Sequence, residues 1–297
     1  MNRFKTLVLR EWMQHRRGWL VLVFLPPALL LLLGSGLFGR PHIDFDGGDV
    51  QGALPLAMIV FALCAGVTLV VAWGAALLQS PGLARRDTQD RSIEFWLSLP
   101  VGHAPSVAAT LLAHLLLLPW AALGIGALCG VAITLPYVAQ VFGFEAWFAL
   151  PWSTLLPAAF AVTLRVAFGL LLATLWLAPL VLLTMAASAW LKRWGVPLVA
   201  GVLLIGGTLL ERVYGNPIVW RVLNALRLEV IHAFVATGRR EIRIGGDVEA
   251  MLGRLPGWLA HDALAALGAL AAPGFVAALA VGALGFALLV LRRQRGA

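Results

Sequence analysis

Residues 54–78 read LPLAMIVFALCAGVTLVVAWGAALL, a run of 25 residues without a charged side chain. A helix of about 20 mostly apolar residues is long enough to cross the roughly 30 Å hydrocarbon core of a membrane. We therefore predict that this stretch is a membrane-spanning helix, and this prediction decides the fold class of the chain.

The composition of the whole chain agrees with that prediction. Of its 297 residues, 61% are hydrophobic and 12% are charged, whereas a typical soluble domain has about 45–50% and about 25%. A soluble fold of this composition would expose large apolar patches, which excludes a soluble globular domain, a disordered chain and a secreted disulfide scaffold. The net charge of +8 would suggest nucleic-acid binding in a soluble protein, but cytoplasmic loops of membrane proteins also collect basic residues.

The same length criterion predicts an all-α membrane protein with six spans in a single transmembrane domain, residues 1–297. The predicted spans are residues 18–38, 54–78, 104–135, 155–191, 196–210 and 273–291. The third and fourth are longer than one crossing needs, so they tilt, extend beyond the bilayer, or break at Pro119 and Pro179. The fifth is short and contains three glycines.

The distribution of charge predicts the orientation. More than half of the 22 basic residues lie beside span ends on the face that carries both termini. The short loops 39–53 and 136–154 on the other face have Arg40 as their single arginine or lysine. Because positive charge collects on the cytoplasmic side, we predict that both termini are cytoplasmic. The outer, extracytoplasmic segment 211–272 is too long for this count to be informative.

Residue usage indicates a bacterial origin. Arginine outnumbers lysine by 20 to 2, and Ala, Leu and Gly are abundant, as in a GC-rich bacterial genome. For a multi-pass chain of this origin we expect the bacterial inner (cytoplasmic) membrane as the location.

The first 17 residues have a pattern of their own. Phe4, Leu7, Val8 and Trp12 form an apolar stripe at helical spacing, and polar residues such as Glu11 occupy the remaining positions. This pattern predicts an amphipathic interfacial helix, residues 1–17, on the cytoplasmic face. The alternative is a secretory signal peptide, which would need a shorter basic region and a small-residue cleavage site.

A second charged stretch separates spans two and three. Residues 80–106 read SPGLARRDTQDRSIEFWLSLPVGHAPS, and residues 87–99 within them are predicted to form about three helical turns. One interpretation is an interfacial helix that lies on lipid. The other is a docking helix for a cytoplasmic partner, which the mixture of acidic and basic residues favours, because a lipid-facing helix carries mainly Lys and Arg.

Searches for catalytic motifs fail. Neither of the two lysines has the glycine pattern of a phosphate-binding P-loop, and the HExxH, GxSxG and SxxK motifs are absent from the sequence. Cys64 and Cys129 lie in apolar runs without metal-ligand spacing, so we interpret them as small packing residues. We expect neither a catalytic residue nor a metal or cofactor on this chain.

Two ionisable residues lie inside predicted spans, where burial in lipid is costly. His114 in span three is interpreted as a neutral histidine bonded to neighbouring backbone, with a functional role as the alternative. Arg165 in span four either extends its side chain to the membrane interface or faces a cavity, where it would meet an anionic substrate.

The order of these elements resembles the membrane subunit of ABC transporters of the ABC-2 permease type. The most specific piece is DRSIEFWLSLPVG at residues 90–102, which is similar to the family's DRSILFWKSLPVS stretch, although Glu94, Leu97 and His103 depart from its pattern. Residues 186–195 are similar to the end of the family's fourth span, and residues 273–295 are similar to its last span with a basic tail.

The resemblance implies an ATP-driven exporter built from two permeases, as two copies or with a paralogue, and two separate ATP-binding subunits. ATP and Mg²⁺ would then bind to the partner chain, and spans one, two and five would line the path. The resemblance implies that the first helix and a coupling helix dock onto the ATPase. The coupling residues are Arg85, Arg86, Asp87, Asp90, Arg91, Glu94, Phe95 and Trp96.

Two other classes of function stay open at this point. The chain would be a secondary transporter or channel without an ATPase, or an intramembrane enzyme that uses His114 or Arg165. Membrane lipids are expected partners in every case, and nucleic acid is not. An ATPase gene beside this one would favour the ABC interpretation.

Overall fold

The computed structural model describes residues 3–35, 52–89, 102–237 and 248–295, and every element in these ranges is a helix. The helices are α1 (Arg3–Gly34), α2 (Ala53–Gln89), α3 (His103–Phe142), α4 (Phe144–Phe148), α5 (Trp152–Leu191), α6 (Gly195–Gly201), α7 (Gly207–Tyr214), α8 (Ile218–Phe234), α9 (Val248–Gly268) and α10 (Pro273–Arg295). The predicted all-α class is confirmed over this part of the chain.

Five helical stretches of the described residues are long and apolar enough to cross a membrane, so the chain has the character of a multi-pass membrane protein. The fourth, Trp152–Tyr214, contains both the fourth and the fifth predicted spans. Between them the backbone turns at Lys192, where φ is 54°. Gly195 then lies against the backbone of Ser188, where a Cβ would not fit. The chain folds back on α5 at this turn, and the division into six spans stays a prediction.

Helix α1 joins two elements that the sequence analysis separates. An interfacial helix at 1–17 and a span at 18–38 were expected, but one helix runs from Arg3 to Gly34 without interruption. Gly18 does not break it, because a glycine costs a helix only about 1 kcal/mol. At 1.5 Å per residue the 32 residues measure about 48 Å. The first turns of α1 therefore continue the first apolar helix instead of forming a separate interfacial one.

Three prolines lie inside helices: Pro81, in the segment expected to separate spans two and three, and Pro119 and Pro179, where a break was one of the three explanations for the length of spans three and four. Helix α2 continues through Pro81, beyond the expected end of the second span. Helix α3 contains Pro119 directly after a π-helical turn at Ala113–Leu117, and the wider turn accommodates the missing hydrogen bond. Helix α5 runs through Pro179 without a break. In apolar bundles such prolines are tolerated because neighbouring groups and local π adjustments satisfy the backbone.

Small residues let α2 and α3 approach closely. A Cβ on Gly126 would lie 2.9 Å from the Cβ of Thr68, and a Cβ on Gly130 would lie 3.3 Å from the Cβ of Cys64. In a membrane the lipid tails are as apolar as the helix surfaces, so the hydrophobic effect does not drive helices together. Close van der Waals packing of the backbones stabilises their contact instead. Cys64 and Cys129 are both free thiols.

Helix α5 is the central helix of the second half of the chain, because α8, α9 and α10 all pack against it. Within the segment 211–272, the sequence pattern predicts an amphipathic helix at 218–237, a turn at 238–246 and an apolar helix at 255–270. The first of these helices is α8, which ends at Phe234, and the second is α9, which begins earlier, at Val248. The turn expected at 238–246 lies outside the described residues.

Candidate functional site

A fully buried carboxylate, Glu11, lies in the first third of α1 and has 0% of its surface exposed. It accepts hydrogen bonds from Arg10 at 2.5 Å, from Arg86 of α2 at 3.2 Å, and from Thr110 of α3 at 3.0 Å. The Nε2 atom of His114 in α3 lies 3.4 Å from its Oε2 atom. A buried carboxylate is tolerable only with such partners, so this group holds three helices together. With His15, these residues are called the Glu11 cluster below.

The contacts of the two histidines of the cluster define the tautomer of His15 and the packing of both rings. Arg86 Nη1 lies 3.2 Å from His15 Nε2, and because arginine only donates, Nε2 is an acceptor. The proton of a neutral His15 is therefore on Nδ1, which donates to the backbone carbonyl of Glu11 at 3.2 Å. The His15 and His114 rings meet edge to face with centroids 4.6 Å apart, and Trp19 covers His114 at 5.1 Å. The interpretation of His114 as a residue bonded to backbone does not describe this contact with a carboxylate.

The cluster also brings together three metal-ligating side chains. Ligand atoms of Glu11, His15 and His114 lie within 4.8 Å of one another. However, the guanidinium groups of Arg10 and Arg86 already donate to the Glu11 carboxylate. Arg86 also donates to His15 Nε2, the nitrogen that would bind a metal. A metal cation would have to displace a guanidinium from its ligands and would face two positive charges. The arrangement fits a buried ionic junction between helices better than a metal centre.

The first helix differs from the expected interfacial helix in where its polar residues lie. Arg10 and Glu11 are buried, whereas Phe4 and Trp12 of the apolar stripe are exposed. Leu7 is buried, and Val8 is half-buried beside a groove between α1 and α3. Glu11 points inward because its partners Arg86, Thr110 and His114 are on α2 and α3. The periodicity of a single helix cannot predict such partners on other helices.

The expected ATPase-docking residues are only partly described. Arg86 belongs to the Glu11 cluster, and Arg85 is half-buried beside a depression between α2 and α5. Asp87 lies in α2, but its side chain is outside the described part. The other expected docking residues lie outside the described residues altogether: Asp90, Arg91, Glu94, Phe95 and Trp96.

A second buried ion pair joins α5 to the outer segment. Arg165 donates to Oδ2 of Asp262 on α9 at 2.8 and 2.6 Å and to the carbonyl of Ala233 at the end of α8 at 2.7 Å. The backbone N–H and hydroxyl of Thr237 donate to Oδ1 of Asp262 at 2.6 and 2.5 Å. Arg165 is thus neither at an exposed interface nor in a cavity, the two environments expected for it. These four residues are called the outer clamp below.

The charge state of the outer clamp follows from these contacts. Burial, the largest influence, acts to raise the pKa of Asp262. Hydrogen bonds from Thr237 and Arg165 outweigh it, and the pKa lies below its ordinary value. Asp262 is therefore ionised at neutral pH, and the clamp is an ion pair.

Asp262 is the functional candidate that the sequence analysis missed, whereas Glu11 was named there only as a polar residue of the interfacial helix, without its buried partners. The one signal available for Asp262 was an acidic residue inside the apolar stretch 255–270, since such a residue needs a partner. Comparisons of the chain with protein-family models, curated proteins and solved structures found no match.

Proposed function

We propose that this chain is the permease subunit of an ATP-driven ABC exporter in the bacterial inner membrane, with six spans and both termini in the cytoplasm. The coupling segment would be residues 80–106, and residues 90–102 within it are the stretch that is similar to the family's docking sequence. One observation carries the proposal: Glu11 bonds to residues on both sides of that stretch. Arg86 lies four residues before Asp90, and Thr110 lies eight residues after Gly102.

This arrangement supports mechanical coupling. The helix that enters residues 90–102 and the helix that leaves them are tied to one carboxylate on α1, so a push on the segment would move α1, α2 and α3 together. Packed helices connected by hydrogen bonds transmit displacement as rigid bodies. A partner subunit that binds and hydrolyses ATP would supply the push, and two permeases would form the translocation path.

Docking is tested by a charge exchange in the coupling segment. The double variant Arg91→Glu/Glu94→Lys keeps the net charge but inverts the local pattern, so we expect co-purification with the ATP-binding subunit encoded by an adjacent gene to be lost. The measurement is affinity purification of the co-expressed pair from membranes, and it requires that such a gene exists.

The matched control exchanges charges in the outer segment. Glu211 and Arg221 are both exposed, and Glu211→Lys/Arg221→Glu should leave co-purification unchanged. Retention of the ATPase by the Arg91/Glu94 variant, or absence of an adjacent ATPase gene, would contradict the proposal.

The Glu11 cluster also favours a second candidate, a proton-coupled secondary transporter. A buried carboxylate next to a buried histidine in membrane-type helices is typical of proton relays. Liposomes that contain the purified chain alone distinguish the two: proton flux, followed with an entrapped pH-sensitive dye and abolished by Glu11→Gln, would support this second candidate. An exporter subunit without its ATPase should show no such flux.

A further inference from the structure

We propose that an anionic phospholipid binds in the groove between α1 and α3, with one acyl chain in the groove and its phosphate at Arg16. The groove has a volume of about 230 Å³ and is lined by Trp12, Trp19, Val23 and Phe24 of α1 and by Leu118 and Ile125 of α3, among others. This proposal concerns the membrane environment of the chain and does not depend on the exporter function.

The chemistry of the walls selects an apolar occupant. Every side chain that lines the groove is Val, Leu, Ile, Ala, Phe or Trp. A water molecule needs two to four polar partners to stay in a cavity, so a cavity with apolar walls remains dry and takes up apolar groups instead. Where the surrounding solvent is lipid, an acyl chain is the apolar group at hand.

A positive charge lies on the same face of α1 as the groove. Arg16 follows Trp12 by four residues and precedes Leu20 by four, so the three side chains form one row along the helix. Trp12 and Leu20 line the groove, and Arg16 is exposed. No described residue forms a hydrogen bond or ion pair with Arg16, which leaves its guanidinium available to a phosphate.

The surroundings favour an anionic headgroup over a zwitterionic one. The neighbouring Glu11 cluster contains two guanidinium groups against one carboxylate. A choline or ethanolamine cation would meet like charge here. Trp12 and Trp19 are the residue type enriched where acyl chains meet headgroups, which agrees with a phosphate at the level of Arg16.

Lipid titration of the full-length, delipidated chain in detergent tests the proposal, with native mass spectrometry to count bound molecules of phosphatidylglycerol and phosphatidylcholine. We expect tighter binding of phosphatidylglycerol to the wild type. Arg16→Gln should weaken that binding by about fivefold, the effect of one basic residue at an anionic membrane surface. Arg17→Gln is the matched control, because its side chain lies about 100° around the helix, and it should change binding less than twofold.

A second variant fills the groove. Ala121 lines it and is exposed, so Ala121→Trp should remove binding of both lipids, whereas Ala280→Trp on the exposed face of α10 should not. Equal affinity of the wild type for the two lipids, or equal effects of the two arginine variants, would overturn the proposal. It would also be overturned if Ala121→Trp changed only the oligomeric state and left lipid binding intact, since the occupant would then be a second copy. If Ala121→Trp fails to fold, the arginine comparison decides alone.

Discussion

Single buried charges define both candidate sites of this protein. Glu11 accepts from two guanidinium groups and a hydroxyl and lies beside His114. Asp262 accepts from Arg165 and from both donors of Thr237. Removing one partner of a buried pair leaves an uncompensated charge and costs about 3–5 kcal/mol. Loss of the carboxylate or of its arginine partner at either site should therefore destabilise the packing of the helices that the site joins.

At this scale, Asp262 should make stability depend on pH. Its folded-state pKa is lower than its ordinary value. The ion pair therefore adds stability above the unfolded-state value near 3.9, and this contribution is lost as the pH falls through the folded-state value. We expect the thermal unfolding midpoint in detergent to fall as the pH is lowered below about 5, and to fall less in Asp262→Asn. Intrinsic tryptophan fluorescence at a series of pH values measures it.

The matched control for this experiment is Glu211→Gln, which removes an exposed carboxylate and should reproduce the wild-type profile. Near pH 7 the Asp262→Asn variant should already unfold at a lower temperature than either, because Arg165 is left buried without its counter-ion. Parallel profiles for Asp262→Asn and the wild type would show that this carboxylate is not the titrating group.

In each cluster, the sequence identifies one buried ionisable residue but not the residue with which it pairs. His114 and Arg165 are recognisable because an ionisable residue in an apolar run is costly wherever it lies. Their partners are 103 and 97 residues away, and helical periodicity within one element carries no information on such distant pairs. Glu11 was therefore placed with the polar residues of an interfacial helix, although the fold buries it completely.

At the level of elements, the contact of α2 with α3 depends on missing side chains. Gly126 and Gly130 lie where a Cβ would meet the neighbouring helix at 2.9 and 3.2 Å. Glycine is a poor helix former, so its presence in the middle of α3 is unfavourable locally. The close approach of the two helices compensates for this, and the glycines are better explained by packing than by flexibility.

Substitution of single glycines in α3 separates these two effects. Gly126→Ala should lower the thermal midpoint, because its Cβ would press on Thr68 and on the backbone of Ala65, and overpacking costs about 1–3 kcal/mol. Gly124→Ala, two residues earlier, has open space around its Cβ and should be neutral or stabilising by up to about 1 kcal/mol. Thermal unfolding of both variants in the same detergent makes the comparison; equal midpoints would contradict the packing explanation.

Helix existence is predictable from the sequence more reliably than helix ends. All the long apolar runs are helical in the described residues, as a 20-residue apolar stretch requires. Ends were misplaced at Gly18 and Pro81, residues that usually mark boundaries in soluble proteins. In an apolar bundle the backbone has no water to bond, so a helix continues through positions where it would otherwise stop.

The whole molecule has its two charge clusters on different sets of helices. The Glu11 cluster joins α1, α2 and α3, and the outer clamp joins α5, α8 and α9. In an exporter the first set would receive the force and the second would hold the outer segment against α5. Loosening the first set should therefore affect coupling more than it affects stability.

Thr110→Val tests that expectation, because it removes one donor to Glu11 while keeping the shape of the side chain. We expect a loss of about 1 kcal/mol in stability, unchanged co-purification of the ATP-binding subunit, and a lower ratio of exported substrate to ATP hydrolysed in proteoliposomes. The last measurement needs a substrate, which an export assay in a strain deleted for both genes would identify.

Thr163→Val is the matched control. Its hydroxyl bonds to the carbonyl of Ala159 within α5, so its removal should cost similar stability without a change in coupling. The same coupling ratio in the two variants would mean that the Glu11 cluster supports the fold alone.

The sequence separation within the Glu11 cluster also constrains how the protein is made. Arg86 is synthesised 75 residues after Glu11, and His114 is synthesised 103 residues after it. At about 5–20 residues per second, α1 waits roughly 5–20 s for α3 to emerge from the ribosome. During that interval the Glu11 carboxylate has neither Arg86 nor His114, and burial of a carboxylate without such partners is costly. The complete cluster can therefore form only after α1, α2 and α3 have all been synthesised, and its presence requires that these three helices have packed together.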